Sequence, residues 1–316
     1  MQRKIVYYMN TKVKGYMLGA IAAATYGMNP LFALPLYADG MTTDSVLFFR
    51  YLFAIPILAI MLKARGRDFK VTKKEVGMLI GMGLLLSMSS LTLFLSYSYM
   101  DAGIASTILF VYPIMVAVLM TVFFKEKLTI QTVVCIVLAL SGISLLYQTS
   151  DGVTLSLKGV MFVFLSALSY ALYIVGVNRP PLAGMATLKV TFYVLLFGLS
   201  IYIVRLGMAG TMEFPTKWYY WGNLLALAIF PTCISFLCTT SAIQYIGSTP
   251  TAILGALEPV TAIFFGITVF DEVLTMREAV GVILIIAAVT FVVAGGKVAT
   301  LFIRLRKMFP RLKFKR

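Results

Sequence analysis

Two charged residues lie well inside long apolar stretches of this 316-residue chain, and they are its first candidates for chemistry. Arg50 lies in the stretch 43–63, and Glu258 lies near the middle of the stretch 247–270. A charge in the hydrocarbon of a bilayer costs at least ~2.5–3.5 kcal/mol, so each side chain must face protein or water. Glu258 is either a site for a proton or a substrate ammonium group, or a structural partner for loosened backbone donors. Arg50 is either functional or an orienting residue that binds the carbonyl groups of a helix end.

Polar and aromatic side chains near the middle of other apolar stretches are candidates for lining a cavity with Glu258. Serine and threonine there also serve helix packing or bond their own backbone, so packing remains an alternative for each. The candidate substrate-binding residues are Tyr26, Asn29, Ser90, Tyr112, Tyr170, Tyr173, Ser235 and Glu258.

Several classes of chemistry are excluded by composition. Histidine is absent, which removes histidine-based catalysis, histidine-ligated metal or haem, and a histidine proton relay. Cys135, Cys233 and Cys238 lie in apolar stretches without metal-ligand spacing, so we expect buried thiols, no metal and no cofactor. No phosphate-binding Walker motif is present, which disfavours ATP-driven transport.

The remaining residues form the elements that must position these side chains. The chain is 60% hydrophobic and 12% charged, whereas a soluble domain is about 25% charged, so its solvent is lipid. We predict an all-α integral membrane fold with ten transmembrane helices. The predicted spans are 15–36, 43–63, 76–98, 103–124, 130–148, 157–178, 186–206, 218–241, 247–270 and 276–296.

An internal duplication relates the two halves of the chain. Residues 99–129 align without a gap to residues 245–275, with Pro113 matching Pro259 and Glu126 matching Glu272. Five spans then face five spans, and because five is odd the second half enters the membrane from the opposite side. We therefore predict two inverted five-helix repeats. Their bounds are 1–150 and 151–298, followed by a basic cytoplasmic tail, 299–316.

The paired prolines predict interrupted helices. Proline lacks an amide donor and clashes with the carbonyl group four residues earlier, so Pro113 and Pro259 should each bend or break their helix. Asn29-Pro30 and Pro231 predict further bends. Transporters built from repeats tend to bind substrate at such midplane breaks.

Small residues at a spacing of four predict helix packing. Gly15 with Gly19 and Gly77 with Gly81 are both more typical of packing surfaces than of binding sites.

The distribution of basic residues predicts orientation. Of 27 Lys and Arg residues, 22 fall in the two termini and alternate loops that would be cytoplasmic, and only four in the opposite loops. Both termini are therefore predicted inside. The net charge of +15 is a topology signal and not a nucleic-acid site, and the tail should lie on anionic lipid. The absence of Asn-x-Ser/Thr fits a bacterial protein, so we predict a bacterial inner membrane.

The chain resembles the EamA-like members of the drug/metabolite transporter superfamily. The motifs are Phe48-Phe49-Arg50-Tyr51, Pro113 followed by Glu126-Lys127-Leu128-Thr129, Leu257-Glu258-Pro259, Asp271-Glu272-Val273-Leu274-Thr275 and Gly281. Cys135 departs from the pattern at the place that matches Gly281. The resemblance implies a ten-helix inverted-repeat fold and movement of small metabolites or drugs, often outward. Structural or gating roles are assigned to Arg50, Pro113, Pro259, Glu126 and Glu272.

The leading hypothesis is a secondary transporter that exports a metabolite or amino-acid-like solute by alternating access around a midplane cavity. Tyr112 and Glu258 precede the paired prolines, so both should face the interior. A protonatable Glu258 would couple transport to protons, whereas a permanently ionised one would leave facilitated transport or exchange. The alternatives are an intramembrane lipid-modifying enzyme and a membrane sensor or scaffold that does not transport.

Overall fold

A computed structural model describes residues 2–100, 102–125, 130–146, 156–209 and 211–269, with isolated parts of 276–288. Every regular element in these ranges is helical. Seven helices are long and apolar enough to cross a membrane, so the predicted all-α membrane fold is confirmed at this level. They are Thr11–Ala38, Thr43–Ala64, Lys73–Ser96, Leu157–Val177, Thr187–Met208, Tyr220–Ile246 and Ser248–Val269.

Several of these spans are interrupted, so the individual helices are more numerous. In chain order the helices are α1 (Gln2–Tyr26), α2 (Asn29–Ala38), α3 (Thr43–Ala64), α4 (Lys73–Ser96), α5 (Ala102–Leu109), α6 (Tyr112–Phe124), α7 (Ile130–Leu146), α8 (Leu157–Val177), α9 (Thr187–Ala209), α10 (Tyr220–Leu227), α11 (Ser235–Ile246), α12 (Ser248–Leu254) and α13 (Leu257–Val269). A π-helical segment, Ala228–Ile234, joins α10 to α11.

Seven of the ten predicted spans correspond to these seven long helices. The predicted spans 103–124 and 130–148 correspond to the shorter helices α5, α6 and α7. The span 276–296 lies largely outside the described residues, as do Glu126, Glu272 and the tail 299–316. The count of ten and the inverted duplication therefore stay predictions.

The helix interruptions occur where the prolines predict them. Residues 110–111 separate α5 from α6, which begins with Tyr112-Pro113. Residues 255–256 separate α12 from α13, which begins Leu257-Glu258-Pro259. Proline fits the first turn of a helix because the amide group it lacks has no intrahelical partner there. Each broken span therefore restarts as a new helix at its proline.

Glycine allows two of the closest helix contacts. On Gly83 of α4 and Gly198 of α9, an added Cβ would collide with the facing helix. An added Cβ on Gly15 or Gly19 of α1 would likewise collide with side chains of α11 or α12. This close packing confirms the role predicted for the pair. The same prediction is wrong for Gly77 and Gly81, where an added Cβ would meet no described neighbour within 4 Å.

Two ion pairs fix α9 to the two ends of α3. At the start of α3, Asp44 accepts hydrogen bonds from Arg205 at 2.6 and 3.0 Å. Beyond the other end of α3, Asp68 accepts a bond from Lys189 at 2.6 Å. Because Lys189 begins α9 and Arg205 lies near its end, the two helices are antiparallel.

Candidate functional site

The breaks in two helices meet in the interior of the bundle. Tyr112, at the start of α6, donates a hydrogen bond from its hydroxyl group to the carboxyl group of Glu258, at the start of α13. The same phenol occupies the space that a Cβ on Gly255 would need. Tyr112 is 1% exposed and Glu258 is 6% exposed, so both face the interior as the sequence predicts.

A third break contributes to the same place. Gly27 lies between α1 and α2, and the backbone carbonyl oxygen of Glu258 occupies the position of its missing Cβ. Glycine is required here because two backbones approach more closely than any side chain permits. The broken first span therefore packs directly on the residue that bears the buried carboxyl group.

Tyrosine rings surround this contact. Tyr170 packs edge-on against Tyr112 with ring centroids 4.8 Å apart. Tyr26 stacks on Tyr170 at 6.1 Å, and Tyr173 stacks on Tyr170 at the same distance. Four of the predicted site residues thus form one continuous aromatic cluster beside Glu258, contributed by α1, α6 and α8. Stacked and edge-on tyrosines offer a cation their negatively polarised ring faces.

Arg50 binds the π-helical segment and not Glu258. Its Nε donates to the Thr232 hydroxyl oxygen at 2.5 Å, and one terminal nitrogen donates to the Pro231 carbonyl oxygen at 3.2 Å. The Thr232 hydroxyl group donates in turn to the Leu227 carbonyl oxygen at 2.7 Å. That carbonyl would bond the amide of residue 231 in an α-helix, but proline has none. Arg50 thus has the contacts expected of the orienting alternative.

The other terminal nitrogen of Arg50 is buried and has no hydrogen-bond acceptor among the described residues. The guanidinium group lies 5.4 Å from the ring centroid of Phe94 and 6.0 Å from those of Tyr26 and Phe236. No carboxylate of the described residues forms an ion pair with it. Tyr26 lies close enough to both Arg50 and Glu258 for electrostatic interaction with each of them. The interior therefore holds a cation and a carboxyl group that share an aromatic neighbour without neutralising one another.

The other predicted residues differ in what they contact. Asn29 is buried, and neither polar atom of its side-chain amide has a hydrogen-bond partner in the described part of the chain. The Ser235 hydroxyl group donates to the Ala22 carbonyl oxygen at 2.9 Å, which joins α11 to α1. The Ser90 hydroxyl oxygen lies 3.5 Å from that of Tyr51. Both serines are thus used between helices and lie outside the aromatic cluster, whereas Asn29 keeps an unused donor and acceptor.

Sequence reasoning missed Thr232, Gly255, Phe94 and Phe236 as parts of the site. Thr232 follows Pro231. A search for the group that replaces the missing proline amide as donor to the Leu227 carbonyl oxygen would have identified it. Phe94 and Phe236 are two of 23 phenylalanines and carry no signal of their own. Among the described residues there is no group of three or more His, Cys, Asp or Glu that would hold a metal ion.

Comparison with known proteins assigns the chain to a family. The model of the EamA-like transporter family matches residues 13–148 and again residues 157–294. An uncharacterized transporter of Archaeoglobus fulgidus is 25% identical over 254 residues, covering 79% of this chain and 86% of the relative. A solved crystal structure shares the fold with a TM-score of 0.72 at 17% identity, covering 88% of this chain and 95% of that one. These similarities point to a multi-pass membrane transporter and not to an enzyme. The chain belongs to the EamA-like transporter family.

Proposed function

We propose that the protein is a secondary transporter that exports a small organic solute, of metabolite or amino-acid-like chemistry, by alternating access around the Tyr112–Glu258 site. The observation that carries this proposal is the meeting of broken helices at one buried, protonatable carboxyl group. Helix breaks expose backbone groups that a solute or water can bind, and repeat transporters place their sites there.

The chemistry of the cluster suits a solute with an amino group. An ammonium group beside Glu258 would gain a carboxylate partner and the ring faces of Tyr26, Tyr112 and Tyr170. The unpartnered terminal nitrogen of Arg50 offers a donor to a carboxylate on the same solute. In the absence of solute, a buried carboxyl group without a cation is more stable when protonated. Solute binding and proton release at Glu258 are then linked, which is the proton-coupled form of the hypothesis.

The proposed architecture is two inverted five-helix halves, 1–150 and 151–298, with the tail 299–316 on anionic lipid. The two separate matches of the family model, at 13–148 and 157–294, support this division. The pairing of the interruptions before Pro113 and Pro259 supports it as well. We place the protein in a bacterial inner membrane with both termini in the cytoplasm, supported by the excess of Lys and Arg on that side.

Alternating access requires the two ends of the bundle to open in turn. The ion pairs Asp44–Arg205 and Asp68–Lys189 join α3 and α9 at opposite ends. In the proposed cycle, the pair at one end separates when that end opens, while the pair at the other end remains formed.

The test is efflux from proteoliposomes loaded with radiolabelled amino acids, with and without an imposed pH gradient. We expect flux with the wild-type chain and at least about a tenfold loss with Glu258→Gln, because the amide has no negative charge to attract a cation and no proton to release. Glu75→Gln is the matched control, since glutamine preserves the capping box that Glu75 forms with Thr72. Absence of flux for every solute would favour the enzyme or scaffold alternatives. Unchanged flux in Glu258→Gln would remove the carboxyl group from the mechanism, and a wild type that ignores the gradient would exclude proton coupling.

A further inference from the structure

A cavity lies at one end of the bundle, and none of the residues of the aromatic cluster lines it. Its volume is about 720 Å³, and its walls come from α4, α6, α8 and the turn after α8. Most of the wall is apolar, with Met78, Leu119, Phe123 and Leu172 among its side chains. Phe123 is 68% exposed and Leu172 is 37% exposed, so the cavity opens on the outer surface of the bundle. In a membrane-spanning protein that surface contacts lipid.

Arg179 is the one charged residue among the described residues that line this cavity. Arg179 follows the end of α8, and its guanidinium group stacks on the ring of Phe124, 3.2 Å from the ring centroid. A terminal nitrogen donates to the Met120 sulfur at 3.4 Å, which is a weak acceptor. The Nε of Arg179 is shielded from solvent and has no acceptor among the residues that the structure describes. No carboxylate in the described part of the chain lies within ion-pair distance of this group.

Within the described part of the chain, the Nε of Arg179 therefore lacks an acceptor. A buried N–H without a partner is costly, and the guanidinium geometry matches the oxygens of a phosphate group. The ring of Phe124 and the Met120 sulfur hold the group in place without neutralising its charge. The site thus combines a fixed cation with an apolar cavity that is much larger than a phosphate ion.

The position of the cavity fits the headgroup level of a bilayer. Arg179 and Phe124 lie at the ends of α8 and α6, and Met78 lies in the second turn of α4. Lys73, Lys74 and Lys125 are exposed at the same helix ends. Basic pockets between transmembrane helices at a membrane surface bind the headgroups of anionic lipids.

We propose that this cavity binds one anionic phospholipid, with its phosphate against Arg179 and an acyl chain against Leu119, Phe123 and Leu172. The apolar wall selects a lipid over a free anion, and the cation selects an anionic lipid over a zwitterionic one. Lipid bound here bridges α4, α6 and α8 at the end of the bundle where α6 stops.

Native mass spectrometry of the full-length chain, titrated with dioleoylphosphatidylglycerol or dioleoylphosphatidylcholine, tests the proposal. The wild type should bind the anionic lipid more tightly. Arg179→Gln should weaken that binding by about tenfold, the scale of one lost charge-assisted hydrogen bond. Lys63→Gln, which removes an exposed charge at the end of α3, is the matched control and should change it less than about twofold. Equal effects of the two substitutions would reduce the proposal to a general surface attraction and overturn it.

Two further arms distinguish the lipid from other occupants. Leu172→Trp should place a bulky ring where the acyl chain is expected and weaken lipid binding, whereas Leu168→Trp, one turn earlier on the exposed face of α8, should not. Glycerol phosphate, which carries the headgroup chemistry without acyl chains, should not displace the lipid. Displacement of the lipid by glycerol phosphate would identify a small-anion site instead. If Leu172→Trp binds the anionic lipid as tightly as the wild type does, this cavity is not the lipid site. Lipid binding is measured without transport, so its failure is separate from failure of the proposed function.

Discussion

The hydroxyl group of Tyr112 is bonded to the carboxyl group of Glu258, and each residue directly precedes the proline at which a broken span restarts. The carboxyl group has this neutral partner, and no Lys or Arg of the described residues forms an ion pair with it. The guanidinium group of Arg50 instead binds Thr232 and the Pro231 carbonyl group. Glu258 is thus left free to exchange its tyrosine partner for a solute or to take up a proton, both of which a buried ion pair would oppose.

Removal of the tyrosine hydroxyl group should cost more than neutralisation of the acid. Tyr112→Phe leaves the buried carboxyl group without its donor, at a cost of about 1–3 kcal/mol in unfolding free energy. Glu258→Gln keeps an acceptor for Tyr112, so we expect a smaller loss. Thermal unfolding in detergent should rank wild type first, Glu258→Gln second and Tyr112→Phe last. The reverse order would place the principal partner of Glu258 elsewhere.

The contact between Tyr112 and Glu258 could be predicted from the sequence only in part. The paired prolines and the buried acid located the breaks, because proline has a fixed backbone geometry and a charge in lipid must face inward. The burial of Gly27 and Gly255 was not predictable, since it depends on which helices approach one another. The different surroundings of Gly19 and Gly77 make the same point: the same four-residue spacing occurs in both helices, yet the glycine is packed in α1 and open in α4.

The sequence identified Arg50 as a candidate for an orienting role. Its partner Thr232 could not be predicted, because the contact depends on the π-helical turn around Pro231.

The Arg50–Thr232 contact should stabilise that π-helical turn. Thr232→Val keeps the shape of the side chain and removes the hydroxyl group that serves both Arg50 and the Leu227 carbonyl oxygen. We expect a loss of about 1–3 kcal/mol, because a buried carbonyl group loses its donor. Arg50→Lys should not preserve stability, because an ammonium group lacks the fixed fork that reaches two acceptors. Both are measured by thermal unfolding, with Thr268→Val as control, since Thr268 is exposed and bonds only its own helix. Wild-type stability in Thr232→Val would contradict this role.

Glycine-to-alanine substitution should have opposite effects at two positions. At Gly255 the new methyl group would meet the Tyr112 phenol, so Gly255→Ala should separate Tyr112 from Glu258 and reduce transport. At Gly77, inside α4, the methyl group would enter open space, and the gain in helix propensity should stabilise the protein by about 0.5–1 kcal/mol. Unfolding and efflux assays on the two variants check the pair. Normal efflux by Gly255→Ala would show that the close contact is dispensable.

The ion pair at the 65–72 turn should be sensitive to acid. A hydrogen bond from Lys189, reinforced by its charge, holds the pKa of the Asp68 carboxyl group below its ordinary value of 3.8. A lowered pKa in the folded state means that the stabilisation is present above the ordinary value and is lost as pH falls through the folded-state value. Wild type should therefore unfold at a slightly higher temperature than Asp68→Asn at neutral pH, and the two should converge at acid pH. A difference that persists unchanged into strong acid would exclude the carboxylate as its source.

Orientation can be decided by labelling single cysteines on the two sides of α3 and α9. The excess of Lys and Arg predicts that the 65–72 turn is cytoplasmic, so in a background without native cysteines Lys70→Cys should react with an impermeant maleimide only after permeabilisation. Met212→Cys, in the loop after α9, should react in intact cells. Both side chains are exposed, so accessibility within the protein is matched and only the membrane separates them. Reversed labelling would invert the proposed direction of export. It would also move Arg179 and the exposed lysines around it to the outer leaflet, because they share the end of the bundle that holds the 65–72 turn.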